Sequence, residues 1–255
     1  AGLDSTMIRA AHLSEALDPF AEHEKTTYSV AWIDCLARGR ALGRSLLGVV
    51  EPASHGELVA GGQRSVTVPP ALPGALLNRH TVQAFNSLYY GRVRRTRTDR
   101  LVHYEPFFYP LDSIHHWNRI YGRGGFTQYQ FVVPRDGGVD ALTEVLDRIA
   151  ASKRGSFLAV LKSFGPANNN YLSFPMEGYT LALDFKIDPR LFALLDTVDD
   201  VVLEGGGCLY LSKDVRMSAE TFRRSYPRWP EMVALRQQYG ADQAFNSRQS
   251  RRLGL

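Results

Sequence analysis

Lys213 is the residue whose type and placement point most directly to chemistry. It follows GGGCLYLS, in which three glycines admit a tight turn and Leu209, Tyr210 and Leu211 predict a short strand. The spacing sets Lys213 at the strand's end, three residues after Tyr210, so that both side chains line one site. An ammonium there is a fixed positive charge; the plainer reading is a solvated surface lysine. Gln128 and Gln130 flank Tyr129, so both amides face one side of a predicted strand and need partners. The plainer reading is that they satisfy the backbone or each other. Lys162 and Phe164 lie two apart on one face of another strand. Trp32 shares a face with Tyr28 and Val30, where core filling is the plainer role. His115 and His116 are adjacent and face different ways, which argues against a metal pair. No nucleophile–His–Asp set can be read from spacing.

The elements that must position these residues follow from periodicity. TMIRAAH, residues 6–12, predicts a strand and LSEALDPFAEH a short helix or loop. Residues 26–34 and 45–51 read as half-buried and apolar strands. Residues 52 to about 84 are rich in Pro, Gly and Ser, and no regular element is expected to cross them. A short helix, TVQAFNSLYYG, precedes a loop holding Arg92, Arg94, Arg95, Arg97 and Arg100. From Phe126 the signal is cleaner. FTQYQFVV is a strand, and GGVDALTEVLDRIAASK is a helix with Leu142, Val145, Leu146 and Ile149 at helical spacing. SFLAVLKSF and EGYTLALDFKI are strands. A second helix has Asp188 as N-cap, Pro189 at its first position and Gly205 as stop. The order strand–helix–strand–strand–helix–strand over 126–212 is the ferredoxin-like split βαβ pattern. It predicts an α+β fold: an antiparallel sheet with helices on one face and the other face free to cover something. A helix capped by Ser218 is expected over the Lys213 site, then another around 229–239 and a short basic end.

Composition bounds the rest. The chain of 255 residues, 44% hydrophobic and 22% charged, is an ordinary globular protein able to bury a substantial core. No apolar run approaches the roughly 20 residues of a membrane helix, and no signal peptide is read at the start. Cys35 and Cys208 form no spaced motif with each other or with histidine, which argues against a disulfide framework and a structural zinc. A reducing, cytoplasmic setting is expected. The formal charge of +4 is modest, but its arginines cluster at 92–100 and at the end. Such a run is usually a solvated loop; its functional reading is contact with a phosphate or an anionic membrane surface. Nucleic acid is not expected, because no binding motif accompanies the arginines.

The run LYLSKD, the helix AETF with its YPR turn and the end FNSRQSRRLGL resemble flavin oxidoreductases of the vanillyl-alcohol-oxidase type. Within that type the stretches are similar to those of the decaprenylphosphoryl-ribose oxidases, relatives of the aldonolactone oxidases. TYSVAWID, YPLDSIHHWNRIYG, FTQYQFVVP, SFLAVLKSFGP and LSFPMEGYTLALDF match in the same order, so the resemblance covers most of the chain. It implies FAD as cofactor and a sugar, a polyprenyl-phosphoryl sugar or an aldonolactone carbinol as substrate. It implies Lys213 between flavin and substrate as the catalytic residue, with Tyr210 beside it on the cofactor. Gln128, Gln130, Lys162, Phe164 and Trp32 would line the substrate site, with Phe108 where a pocket tyrosine stands in relatives. It further implies that the segment from Thr81 to Arg100, arginine-rich loop included, is a mobile cover over the substrate site.

Departures from the pattern imply an altered substrate. Ala182 stands where a reactive pocket cysteine is known, Phe108 lacks the tyrosine's hydroxyl, and Ala159 replaces a pocket asparagine. There is also no Gly-rich phosphate-binding loop. The expected organisation is a substrate (cap) domain over 1–207, a C-terminal segment over 208–255 that packs on the flavin domain, and no N-terminal FAD-binding domain. The alternative is a non-catalytic module that binds an anionic sugar or lipid.

Overall fold

A computed structural model describes residues 2–54, 65–70, 77–156 and 158–255. The strands are β1 (Gly2–Ala10), β2 (Tyr28–Ile33), β3 (Ser45–Pro52), β4 (Val66–Thr67), β5 (Arg97–His103), β6 (Ile114–His115), β7 (Phe126–Pro134), β8 (Ala159–Phe164), β9 (Gly178–Lys186) and β10 (Cys208–Leu209). The helices are α1 (Leu13–Glu22), α2 (Arg79–Gly91), α3 (Tyr104–Phe108), α4 (Gly138–Ser152), α5 (Leu191–Glu204), α6 (Ala219–Ser225), α7 (Trp229–Gln238), α8 (Ala241–Ala244) and α9 (Arg248–Leu253).

Eight strands form one antiparallel sheet in the order β10-β7-β9-β8-β2-β3-β1-β5. Its first four strands are the split βαβ unit expected from the sequence. The N-terminal strands extend the same sheet through β2, which pairs with β8 at Ala31↔Leu161 and Trp32↔Val160. Alternation sorts side chains between the two faces. Tyr129, Phe131, Val133, Leu161, Leu181, Leu183, Ala31, Ile33, Leu47 and Val49 form one buried cluster with Leu142, Leu146 and Ile149 of α4 and Leu195 and Val198 of α5. Leu13, Leu17 and Phe20 of α1 join it, and Phe20 reaches the Tyr179 ring at 6.3 Å. Among the described residues no α-helix longer than two turns lies over the β7–β9–β8 half of the opposite face.

Four expectations are corrected. The arginine-rich loop is half strand: Arg97 and Arg100 lie on β5, which pairs with β1. An edge strand accommodates charges because its outer side faces water. The Pro/Gly/Ser-rich stretch holds β4, paired parallel with β6, and the start of α2; residues 55–64 and 71–76 of it lie outside the described residues. Helix α5 starts two residues late, with Arg190 at its cap. Asp188 Oδ1 instead accepts the Arg190 amide at 2.8 Å, and the carboxylate pairs with Arg154. Helix α6, capped by Ser218, packs on the helical side through Phe222 and not over the Lys213 site.

At the open face of the β2–β3 half, α2 sets Tyr89 against Trp32 at 4.8 Å, and α3 brings Phe107 beside Gly48, while Val82 of α2 joins the core cluster. Asp34 fixes α2, accepting Asn86 Nδ2 at 2.7 Å and Arg44 Nη2 at 2.6 Å. Tyr90 Oη adds a bond to the Ala10 carbonyl at 3.1 Å.

Candidate functional site

The turn before Lys213 requires its glycines. Gly206 has φ +72°, and a Cβ on Gly207 would lie 2.3 Å from the Val132 carbonyl oxygen. The chain then runs through β10, shorter than expected, and Lys213 falls on a 3-10 turn over Leu211–Lys213 instead of a strand end. Asp214 explains the early stop. Its Oδ1 accepts the Arg216 and Met217 amides at 2.9 and 2.6 Å, a local bond that competes with strand pairing. The C-terminal helix α9 clamps the same turn. Gln249 Nε2 donates to the Leu211 carbonyl at 2.7 Å, and Arg252 pairs with Asp214. Behind it, Arg216 bonds Asp199 at 2.7 and 2.9 Å, and Asp199 accepts Tyr129 Oη at 2.8 Å.

So held, Lys213 Nζ donates to Gln128 Oε1 at 2.6 Å. Gln128 stands opposite Asp184 in the β7–β9 register. Asp184 is buried, its Oδ2 has no hydrogen-bond partner, and its amide donates to Ser156 Oγ at 3.2 Å. Burial pushes its carboxyl up to about 6, opposed by the Gln128 amide and the Lys213 ammonium. Gln130 Nε2 donates to Thr180 Oγ1 at 3.1 Å, so this amide is partly satisfied within the chain. Gln128, Gln130, Tyr210 and Lys213 line one small cavity of about 20 Å³, room for one water-sized group.

An aromatic run leads from there across the sheet. Tyr210 stacks on Phe174 at 4.4 Å, and Phe174 meets Phe164 edge-on at 5.8 Å. Phe164, Lys162 and Phe108 line a cleft of about 440 Å³ with Tyr28 and Thr27. Phe108 meets Tyr28 edge-on at 4.9 Å. Trp32 lies in a neighbouring cleft of about 880 Å³ with Tyr89 and Phe107. Val30, Phe107, Pro110 and Val160 line both. The residues singled out from the sequence thus share one sheet face, in three adjoining groups.

Sequence reasoning missed Asp184, Phe174, Tyr89 and Phe107. Asp184 carried a signal: a lone carboxylate inside the apolar strand YTLALDF. Phe174 sits in a loop with no period to betray it. Burial pushes the Cys35 and Cys208 thiols up to about 12, so neither is a nucleophile at neutral pH. Among the described residues no three His, Cys, Asp or Glu side chains gather as metal ligands, and no helix is long and apolar enough to cross a membrane.

No family model matches the chain. It is 37% identical over 238 residues to the decaprenylphosphoryl-beta-D-ribose oxidase of Mycolicibacterium smegmatis, covering 90% of this chain and 51% of that protein. It is 30% identical over 250 residues to the "uncharacterized protein in mprA 5'region" of Streptomyces coelicolor, covering 90% of this chain and 66% of that protein. It is 22% identical over 130 residues to an L-gulono-1,4-lactone dehydrogenase of Mycobacterium tuberculosis, covering 50% and 30%. The chain spans about half the length of the first of these relatives.

Proposed function

We infer, from a chain that is a homologue of decaprenylphosphoryl-beta-D-ribose oxidase over 90% of its own length, that it is the substrate-domain portion of an FAD-dependent oxidoreductase. The substrate is a secondary alcohol of a sugar, a sugar-phosphate lipid or an aldonolactone. The observation that carries the reading is the Lys213–Gln128–Asp184 cluster on the sheet face opposite α4 and α5.

That cluster suits a flavin's ring end. It offers an ammonium and an amide on an open face, whereas the chain has no glycine-rich cradle for the phosphates. FAD, when bound, supplies the hydride acceptor. Lys213 and Tyr210 would face it, and Lys213 supplies positive charge where negative charge develops. Gln128 aims the ammonium, and Asp184 balances its charge from below. Lys162, Phe164, Trp32 and Phe108 orient the substrate and exclude water along the two clefts, and Gln130 does so from the small cavity beside Lys213.

On this reading residues 1–207 are the substrate domain. Residues 208–255 bear on a flavin domain from the part of the relatives' length that this chain does not span. Exposed Tyr239 and Phe245 are available to such a partner, while β10, Phe222, Tyr226 and Leu253 belong to the core of the sheet domain. The arginines of 92–100, beside exposed Leu88 and Leu101, suit an anionic membrane surface.

The deciding experiment is anaerobic single-turnover mixing of the FAD-loaded full-length protein with sugar and aldonolactone substrates. Bleaching of the flavin band is the expected result. Binding without bleaching for every substrate would leave the non-catalytic module as the better account.

A further inference from the structure

We propose that the cleft of about 470 Å³ between helix α2 and the β2–β3 connection is an anion site that takes the phosphoryl group of phosphate or of a phosphate monoester. It shares no lining residue with the cavity at Lys213 or with the two clefts on the open sheet face. It is therefore separate from the oxidoreductase site.

Two guanidinium groups line this cleft, and each is already held by one edge. Arg44 Nε and Nη2 donate to Asp34 Oδ2 at 2.9 and 2.6 Å, and Nη2 lies 3.3 Å from Ser87 Oγ. Arg38 Nε donates to the Ala150 carbonyl near the end of α4 at 3.1 Å, with Nη2 on the same oxygen. Nη1 of both arginines has no hydrogen-bond partner among the described residues. A guanidinium fixed on one edge loses little further freedom when its remaining N–H groups take an oxyanion. The frame beneath is rigid. Gly43 has φ +75°, a Cβ there would lie 2.6 Å from Leu13 Cβ, and the Leu13 amide donates to the Leu42 carbonyl at 2.9 Å.

The charge balance favours an anion. Among the lining residues Arg38 and Arg44 face one carboxylate, Asp34. Asp34 is buried, and its oxygens are taken by Arg44, by Asn86 Nδ2 and by the Leu36 amide at 3.1 Å. Arg38 pairs with no carboxylate among the described residues, and nor does Arg40 two residues on. Gln83 and Ser87, one turn apart on α2, add an amide and a hydroxyl. Asn86 beside them is fully buried, and its Oδ1 has no hydrogen-bond partner. The polar network behind the cleft thus lacks one donor, which a water carried in with a hydrated oxyanion supplies. Ala37 and Ala41 leave the space open. On α2 the Gln83–Ser87 flank is the one opposite Phe85 and Tyr89. A bound oxyanion would therefore tie the helix to the β2–β3 connection from the side away from Trp32.

The test is titration of the isotope-labelled chain at low ionic strength with inorganic phosphate and with glycerol phosphate, read by amide NMR shifts. The Leu36, Ala37 and Ser87 amides should move and saturate with a Kd of about 1 mM or tighter. Acetate at equal ionic strength should move none of them. Tighter glycerol phosphate would assign a phosphate monoester, and equal affinities would assign free phosphate; both support the site. Arg38→Ala should weaken binding about tenfold or more. Because Arg38 also holds the end of α4, Ser87→Glu is the second variant: it changes an exposed position, sets a carboxylate beside Arg44 and should abolish the saturable shifts with the circular dichroism unchanged. The absence of saturable shifts with either phosphate, the same shifts with acetate, or unchanged affinity in either folded variant would overturn the proposal.

Discussion

Lys213 Nζ and Gln128 Oε1 are joined at 2.6 Å, so the turn after β10 is tied to the first half of β7 through the ammonium itself. The charge is therefore aimed before any ligand arrives, which is what electrostatic catalysis requires. Lys213→Ala should lower single-turnover flavin reduction about a hundredfold or more in the FAD-loaded protein. Lys213→Arg should rescue poorly, because a planar guanidinium does not replace a compact ammonium. Circular dichroism should show an intact fold in both. Unchanged reduction in the alanine variant would return Lys213 to the status of a surface lysine.

Asp184 makes stability depend on pH in a direction opposite to most carboxylates. Its carboxyl rises from an ordinary 3.8 to about 6, so between those values the folded chain holds a proton the unfolded chain has released. Stability from this group is greatest below pH 3.8 and falls as pH rises through the window to about 6. The whole effect is at most about 3 kcal/mol. Asp184→Asn should therefore melt higher than the parent at pH 7, with the advantage gone near pH 4. Melting curves at both pH values check the sign.

Arg216 and Asp199 form a buried pair behind the Lys213 turn, with side chains 11% and 4% exposed. Arg216→Ala leaves the carboxylate without its cation and should cost about 3–5 kcal/mol in urea unfolding. The double variant Arg216→Met with Asp199→Leu should recover most of that, since an apolar pair has no charge to desolvate. A single variant as stable as the parent would show that the pair holds nothing in place.

Both thiols should be inert in the folded chain. With Cys35 and Cys208 buried and pushed up to about 12, alkylation by iodoacetamide at pH 8 should be slow in the native state. It should be complete in urea. Rapid native labelling of either, read by mass spectrometry, would contradict the burial. With Ala182 on the open face, a thiol-directed inhibitor has no target there.

Much of the sheet is legible because its periods are geometric. Leu142, Val145, Leu146 and Ile149 repeat at helical spacing and are all fully buried. Gln128, Gln130, Lys162, Phe164 and Trp32 fall on one face because strand alternation admits no other outcome once the core face is fixed. What stayed hidden depends on contacts distant in sequence. The 3-10 turn at Lys213 is set by Asp214 and by Gln249 and Arg252 from the far end of the chain. The placing of α2 depends on Asp34 and Asn86. Strand β5 reads as a loop because its arginines break the apolar pattern, yet its pairing with β1 needs only backbone groups.

The join between β2 and β8 has a consequence for how the molecule comes apart. Among the described residues two register pairs hold it, against nine between β7 and β9 and eight between β1 and β3. The sheet is thus two well-laddered leaves on a narrow spine, strapped by α1, whose Phe20 touches Tyr179 while Glu24 just beyond the helix bonds Arg135 at 3.0 Å. Opening along such a spine breaks few backbone bonds, so the shared core, not the ladder, must hold the leaves together there. In native-state amide exchange the β2–β8 protons should trade for deuterium well before those of β7 and β9. The crease between the leaves runs through Trp32 and Val160, where the two clefts meet.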